Sequence, residues 1–332
     1  EMMIVADPMI QAILLDWDLA EDNTHQAAKD VLNKLRSRAE NVPVFLFADR
    51  ADVADIPLEV LKETSDFIWL YEDTANFIDG RIEAAIDTYL KNLLPPMFKA
   101  LAKFSQVHEY SWHTPGHTGG TAFMKAPAGR AYFDFFGENL FRSDLSISVG
   151  ELGSLLDHSG PIGASEKYAA KVFGAHRTYH VTNGSSTSNR VIFMACVTHN
   201  QVALCDRNCH KSIEQAMTMS GAIPNYMMPL RNFYGIIGPI PPQALKAEAI
   251  KKTISENSLI TKDIDSTPVH AIVTNSTYDG LCYNARRVEE LLGQSVDRMH
   301  FDEAWYGYAR FNPIYKDRFA MYGNPADHKP TD

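Results

Sequence analysis

Beyond about residue 165, short apolar runs alternate with segments of helical periodicity, and this alternation limits the fold more than any other feature of the sequence. A short apolar run bounded by polar residues is typical of a strand buried on both faces. Strands that alternate with helices are joined by crossovers and lie parallel in one sheet. The pattern therefore predicts an α/β domain with a doubly wound, mostly parallel sheet, which binds ligands at the carboxyl ends of its strands.

The predicted elements of this domain follow one another in regular order. Strands are expected at Tyr179–Thr182, Val202–Leu204, Ile223–Met228, Val269–Thr274 and Met299–Phe301. Helices are expected at Ser165–Gly174, Thr187–Val197, Ser212–Met219, Ala244–Asn257 and Ala285–Leu292, with Ser165 as the N-cap of the first. The preceding residues 121–165, rich in Gly, Phe and Asp, are predicted to be irregular.

The first 95 residues predict a smaller α/β module that is flavodoxin-like in outline. Its strands are expected at Ala12–Asp16, Val42–Phe47 and Asp66–Leu70, with a helix at Thr24–Arg38 and another capped by Asp73 or Thr74. The module lacks a glycine-rich phosphate loop and begins in mid-fold, so we expect a structural or interaction role. Pro95 and Pro96 mark its end. The predicted division is 1–95 for this partial wing module, 96–130 for a linker with a helix at Met97–Phe104, and 131–332 for the larger domain.

Composition excludes several classes of function. The chain has 332 residues, 45% of them hydrophobic and 22% charged, with a net charge of −10 and no basic block, which disfavours a nucleic-acid partner. No apolar run reaches the roughly 18 residues of a membrane helix, and the first residues lack a secretory signal. The four cysteines are scattered, which predicts a reducing, cytoplasmic location.

Two stretches resemble metal sites only superficially. Cys205, Cys209 and His210 lack a second matching pair of ligands, so zinc is not expected. His113 and His117 are four residues apart, but the Pro-Gly sequence between them excludes the helix on which such a pair normally binds metal. We interpret this stretch as an irregular loop that either lines a site or packs structurally.

A first candidate site follows the predicted strand that ends at Thr182. Gly184 permits a tight turn, and Ser185 and Ser186 open the next helix with hydroxyls and free N–H groups. Neither a Walker loop nor a dinucleotide fingerprint is present, which leaves a single phosphate as the predicted ligand. The alternative is a simple serine-rich helix cap.

Other polar groups follow later strands at the same predicted edge. His210 follows the strand at Val202–Leu204 and can stack on a flat ring or act as an acid or base, although a loop histidine is the simpler alternative. The segment Asn275–Gly280 follows the next strand. Asp302 follows the last one, where a carboxylate can pair with the protonated ring nitrogen of a cofactor; an N-cap or solvated aspartate is the alternative. A phosphate cradle, an imidazole and a carboxylate in this order predict a pyridoxal phosphate (PLP) site.

His210, the segment Asn275–Gly280 and Asp302 lie within stretches that resemble the bacterial Orn/Lys/Arg decarboxylases of PLP fold type I, the aspartate-aminotransferase-like fold. The matching stretches are Thr114–His117, Glu151–His158, Asp206–Ser212, Thr274–Gly280 and Phe301–Trp305. The resemblance implies that residues 1–95 are part of the family's N-terminal wing domain. It implies decarboxylation of a basic amino acid, with roles in acid resistance or polyamine metabolism.

The resemblance also assigns roles to individual residues. Ser185 and Ser186, after Gly184, would hold the cofactor phosphate, and His210 would stack on the pyridine ring. Asp302 would pair with the ring nitrogen, and Trp305 would line the site. Our own hypothesis is that the Glu303 carboxylate recognises a cationic substrate.

One departure from the family pattern concerns the Schiff-base lysine. In the family this lysine follows a Ser-x-His-Lys segment downstream of the Asp302 motif, and the chain ends at Asp332 without such a segment. Lys211 belongs to a different motif, and Lys329 has different neighbours. We therefore expect an internal part of a longer enzyme, inactive by itself.

The substrate and the partners are also inferred from the resemblance. Phe301–Phe311 is most similar to the arginine decarboxylase branch, so conversion of arginine to agmatine is favoured over lysine to cadaverine. An aminotransferase-like enzyme and a non-catalytic assembly subunit are the alternatives. The family's homodimers, which assemble into decamers, are expected here, with no nucleic-acid or membrane partner.

Overall fold

The computed structural model describes residues 7, 9–20, 24–35, 41–50, 56–69, 71–107, 112–146 and 149–323. The chain divides into two compact units, residues 1–165 and 166–332. Some predicted features lie outside the described residues, namely residues 36–38 of the first helix, Leu70 at the end of the third strand, and Lys329. Among the described residues, no helix is both long enough and apolar enough to cross a membrane.

The first unit begins with a parallel sheet of three strands in the order β1-β2-β3. The strands are β1 (Ile13–Asp16), β2 (Val44–Ala48) and β3 (Asp66–Trp69). The helices beside them are α1 (Gln26–Leu35), α2 (Leu58–Leu61) and α3 (Ala75–Leu93). Helix α1 buries Ala28, Val31, Leu32 and Leu35, which share one helical face. The predicted α/β character of this region is confirmed.

The prediction that residues 121–165 are irregular is wrong. After α4 (Pro96–Gln106), the chain forms α5 (Pro127–Phe136) and α6 (Glu138–Ser143). Pro127 lies in the first turn, where its missing N–H costs nothing, and Gly137 separates the two helices with φ 80°. Phe133 and Phe141 stack with ring centroids 5.2 Å apart. Gly137 therefore joins the two helices, and Phe133 and Phe141 pack one against the other.

Helix α7 (Gly160–Phe173) begins earlier than the predicted N-cap at Ser165. Pro161 is tolerated in its first turn, and Gly163 is required because a Cβ there would lie 2.0 Å from the carbonyl oxygen of His158. Gly174, with φ 68°, ends the helix as predicted.

The second unit has a parallel sheet of four strands in the order β5-β4-β6-β7. They are β4 (Val202–Asp206), β5 (Ile223–Met227), β6 (Pro268–Thr274) and β7 (Met299–Asp302). The helices are α8 (Ser185–Cys196), α9 (Lys211–Ser220), α10 (Ala247–Ser255) and α11 (Ala285–Leu292). Every residue of β4 is buried, as expected for a central strand covered on both faces.

The predicted strand at Tyr179–Thr182 is wrong. These residues form no strand, and the N–H of His180 donates to the Glu166 carboxylate at 2.9 Å instead of to a neighbouring strand. The hydrogen bond that a sheet would have used is therefore satisfied by a side chain.

The strand order reverses between β4 and β6. After β4 the chain adds β5 on one side, and β6 then pairs with β4 on the other. Such a reversal opens a crevice at the carboxyl ends of the two strands, which is where doubly wound sheets bind ligands. Asp206 and Thr274 end the two strands at this point.

Candidate functional site

Helix α8 presents the predicted phosphate site. Gly184 precedes the helix with φ 80° and ψ 172°, a conformation that favours glycine. Ser185 is exposed and Ser186 is half-buried. Within the described residues, neither side chain has a hydrogen-bond partner, and no backbone carbonyl accepts from either N–H. These groups form a helix terminus whose donors are free among the described residues, as the predicted phosphate site requires.

His210 is the N-cap of α9. Its Nδ1 accepts the Ser212 N–H at 3.2 Å and lies 2.8 Å from the Ser212 hydroxyl oxygen. Because Nδ1 accepts a backbone N–H, the proton of the neutral ring is assigned to Nε2. The cap therefore fixes both the tautomer and the orientation of the imidazole.

Asp302 ends β7 and is buried, with 7% of its surface exposed. Its Oδ2 accepts from Nδ2 of Asn189 at 2.9 Å, and the same Nδ2 donates to the Ser212 hydroxyl at 3.1 Å. The other carboxylate oxygen, Oδ1, has no hydrogen-bond donor among the described residues. The carboxylate is thus held at one oxygen and available at the other.

A continuous chain of hydrogen bonds therefore joins two of the predicted site residues. It runs from Asp302 through Asn189 and Ser212 to His210. Asn189 also lies one helical turn after Ser185 on α8, which connects the chain to the phosphate site. Sequence reasoning missed Asn189 and Ser212; the available signal was a polar residue four positions beyond Ser185, on a face that has to meet the sheet.

Two further polar groups lie at the strand reversal. Asp206 is fully buried, and burial raises the pKa of its carboxyl group, although N–H donation from Asn208 and Thr274 opposes the rise. The buried hydroxyl of Thr274 has no hydrogen-bond partner among the described residues. Thr274 is paired in register with Asp302. An unsatisfied hydroxyl is therefore adjacent to the available carboxylate.

Glu303 is bound from within the protein. Its Oε1 accepts from Nδ2 of Asn275 at 2.6 Å and from the N–H of Ala320 at 3.0 Å, and Oε2 lies 3.3 Å from the same N–H. Burial raises the pKa of Glu303 to about 7, while the donors Ala320 and Asn275 oppose the rise and the nearby Asp302 adds to it. Glu303 therefore fastens the segment around Ala320 to the strand edge.

Asn275 and Trp305 differ sharply in burial. Asn275 is fully buried; besides Glu303 it donates to the carbonyl oxygen of Arg318 at 2.8 Å and accepts from the N–H of Tyr283 at 3.0 Å. Trp305 is 53% exposed. Asn275 thus joins three separate segments of the chain by hydrogen bonds, and Trp305 exposes an aromatic surface.

His113 and His117, the histidine pair with metal-like spacing, both have hydrogen-bond partners within the protein. Nε2 of His117 lies 2.9 Å from Asp144, and Nδ1 of His113 accepts the Ser146 N–H at 3.3 Å. In the part of the chain that the structure describes, no group of three or more His, Cys, Asp or Glu residues could hold a metal ion.

Comparison with known protein families gives two matches along the chain. The Orn/Lys/Arg decarboxylase major domain matches residues 95–331, and the Orn/Lys/Arg decarboxylase N-terminal domain matches residues 1–89.

Individual relatives are similar over nearly the whole chain. The biodegradative arginine decarboxylase of Escherichia coli K12 is 51% identical over 331 residues, covering 99% of this chain and 44% of that protein. The lysine decarboxylase LdcA of Pseudomonas aeruginosa is 44% identical, covering 92% of this chain and 41% of that protein. The chain therefore spans less than half the length of these relatives.

Solved structures show the same architecture. Lysine decarboxylase A from Pseudomonas aeruginosa has a TM-score of 0.79 at 44% identity, covering 94% of this chain and 42% of that one. The Francisella novicida lysine decarboxylase LdcF has a TM-score of 0.78 at 38% identity, covering 98% of this chain and 43% of that one. These neighbours are lysine decarboxylases with the same α/β architecture, and the predicted fold class is confirmed.

Proposed function

The chain belongs to the Orn/Lys/Arg decarboxylase family, and from that premise we propose that its parent protein is a PLP-dependent decarboxylase of a basic amino acid. The observation that carries the proposal is the buried Asp302 carboxylate, which Asn189 holds at Oδ2 while Oδ1 stays available. A buried carboxylate with a free oxygen at a sheet edge suits a cationic ring N–H.

The residues present fit this cofactor. Its phosphate requires free donors, which Ser185 and Ser186 supply at the start of α8. Its flat ring requires an oriented stacking partner, which the capped His210 supplies. Its ring nitrogen requires a carboxylate, and the unsatisfied Thr274 hydroxyl marks polar space beside Asp302. Trp305 is free to line the site.

PLP, when bound, supplies an electron sink for the electron pair left by loss of CO₂ from the α-carbon. The chain's residues prepare the site for this chemistry. Ser185, Ser186 and the helix terminus bind the phosphate, His210 orients the ring, and Asp302 holds a proton on the ring nitrogen. In the parent protein, a lysine would complete the site.

The proposed activity is tested on the full-length protein with arginine, lysine and ornithine as substrates. We expect CO₂ and the corresponding amine as products, with the highest kcat/KM for arginine and lysine next. Formation of an oxo acid without CO₂ would identify an aminotransferase instead. Absence of both products from folded, PLP-loaded protein would identify a non-catalytic assembly subunit.

Arginine is placed first because the chain is 51% identical to an arginine decarboxylase, against 44% and 41% for two lysine decarboxylases.

The proposal also includes homodimers that assemble into decamers, a cytoplasmic location and a role in acid resistance or polyamine metabolism. Mass photometry of the full-length protein near pH 5 tests the decamer.

Replacing Glu303 with serine is expected to shift the ratio of kcat/KM for arginine and lysine about ten-fold toward lysine. Both Glu303 oxygens already accept hydrogen bonds from Asn275 and Ala320, so the effect would pass through the segment that Glu303 fastens. Glu303→Gln, which retains an acceptor oxygen, is the matched control and should shift the ratio less. An unchanged ratio in Glu303→Ser would remove Glu303 from the specificity determinants.

A further inference from the structure

We propose that Asn189 is a positioning residue that aims Asp302 at the ring nitrogen of the cofactor. The inference rests on the proposed function, which it extends to a residue without any assigned role. Asn189 is buried, with 3% of its surface exposed, and lies in the second turn of α8. Its amide nitrogen donates to Asp302 at 2.9 Å and to Ser212 at 3.1 Å.

The chemistry of the amide explains why asparagine suits this position. The NH₂ group has two hydrogens, and each meets an oxygen that can accept it. With the amide turned over, its oxygen would face the Asp302 carboxylate, and two acceptors would repel each other. The observed orientation therefore presents a donor to Oδ2 of Asp302 and leaves Oδ1 for a second donor. A protonated ring nitrogen is that donor in the proposed site.

The same hydrogen bonds organise the opposite side of the site. Ser212 accepts from Asn189, so its own O–H is free to donate to Nδ1 of His210 at 2.8 Å. Asn189 follows Ser185 by four residues, about 6 Å along a helix axis. One rigid helix therefore carries the phosphate donors at its start and the support for Asp302 one turn later.

The test compares PLP with its 1-deaza analogue, in which carbon replaces the ring nitrogen. Full-length apoprotein is titrated with each compound, and the ratio of the two dissociation constants is measured by absorbance. This ratio isolates the contribution of the ring nitrogen, because phosphate binding and bond formation to the lysine are common to both compounds. The wild-type protein is expected to prefer PLP.

We expect Asn189→Leu to reduce this preference at least about ten-fold, in the range typical of residues that support a ligand-binding group. Asn189→Ser, smaller and still polar, is a second variant in case the leucine variant does not fold, and it should also reduce the preference. A role in packing alone would weaken both compounds equally and leave the ratio unchanged.

Asn225 offers a matched control in the same unit. It is also 3% exposed, and its Nδ2 donates to Thr253 at 2.9 Å, away from the predicted site residues. Asn225→Leu should lower stability while keeping the wild-type preference. A preference that survives in both Asn189 variants overturns the inference alone. A wild-type protein without any preference for PLP overturns the proposed role of Asp302 and, with it, this inference.

Discussion

Replacing Asp302 with asparagine is expected to reduce turnover of the full-length protein by about 10³-fold, comparable with the loss of a preorganised electrostatic group from an active site. The neutral amide cannot form an ion pair with a protonated ring nitrogen, so that nitrogen loses its proton and the ring accepts electrons poorly. The new NH₂ group can also face Nδ2 of Asn189, which now donates to Oδ2 of Asp302 at 2.9 Å. The support for the site is then disturbed along with its charge.

The measurement is steady-state CO₂ release, together with the PLP content of the purified protein. Asp206→Asn is the matched control, because Asp206 is also a buried carboxylate at a strand end. Its oxygens are used within the protein by the N–H groups of Asn208 and Thr274. Its loss should therefore lower the yield of folded protein rather than the rate per folded site. Near-normal turnover of PLP-loaded Asp302→Asn would remove the carboxylate from the mechanism.

The sheets were predictable from sequence because strand burial leaves a direct trace. Every residue of β4 is buried, and four of its five are apolar, so the run stands out against the helices beside it. Polar residues at the ends of such runs also identified Asp302 and His210 as site candidates. Both signals, the apolar run and the polar residue that ends it, are local and can be read from a single sequence.

The errors arose where long-range contacts decide the structure. Tyr179–Thr182 has the composition of a strand, but the Glu166 carboxylate takes a backbone N–H. The role of Glu303 in substrate recognition stays a prediction, but the sequence did not indicate its hydrogen bonds to Asn275 and Ala320, the latter 17 residues away. Asn189 was missed because its partner Asp302 is 113 residues away. Hydrogen bonds between residues so distant in sequence leave no periodic pattern by which they could be predicted.

A second large effect is expected from two buried histidines. His270 on β6 and His300 on β7 have ring centroids 5.7 Å apart. Both nitrogens of His270 and Nδ1 of His300 have no hydrogen-bond partner among the described residues. Burial lowers the pKa of His270 to about 4, with a contribution from Arg298, and lowers that of His300 to about 3, with a contribution from His270. Both rings are therefore neutral in the folded protein near pH 7.

The direction of the pH effect follows from these values. In the unfolded chain both histidines have a pKa near 6.5, whereas in the folded protein the pKa is about 4 for His270 and about 3 for His300. Their contribution to stability is fully present above pH 6.5 and is lost as the pH falls through the folded values. For His270 alone the loss between pH 7 and pH 4 is about 3 kcal/mol. That is a large part of the roughly 5–15 kcal/mol that stabilises a typical domain.

Glu303 has the opposite effect on the pH dependence of folding stability. Its folded pKa is raised to about 7 from 4.5, so its contribution is present below pH 4.5 and is lost as the pH rises through 7. The histidines therefore limit stability on the acid side and Glu303 limits it on the alkaline side. The proton binding of the unfolded histidines and of the folded Glu303 balances near pH 7, so we expect greatest stability there.

The double replacement of His270 and His300 by leucine should remove the acid-side limit. Leucine leaves no buried nitrogen unsatisfied and binds no proton, so the variant should gain stability over the wild type progressively as the pH falls from 7 to 5. The measurement is the thermal midpoint of the full-length protein across this range. The exposed His176, replaced by leucine, is the control and should follow the wild-type profile. Parallel profiles for the double variant and the wild type would show that the acid-side loss originates elsewhere, because removing the two protonation sites must change the slope if they cause it.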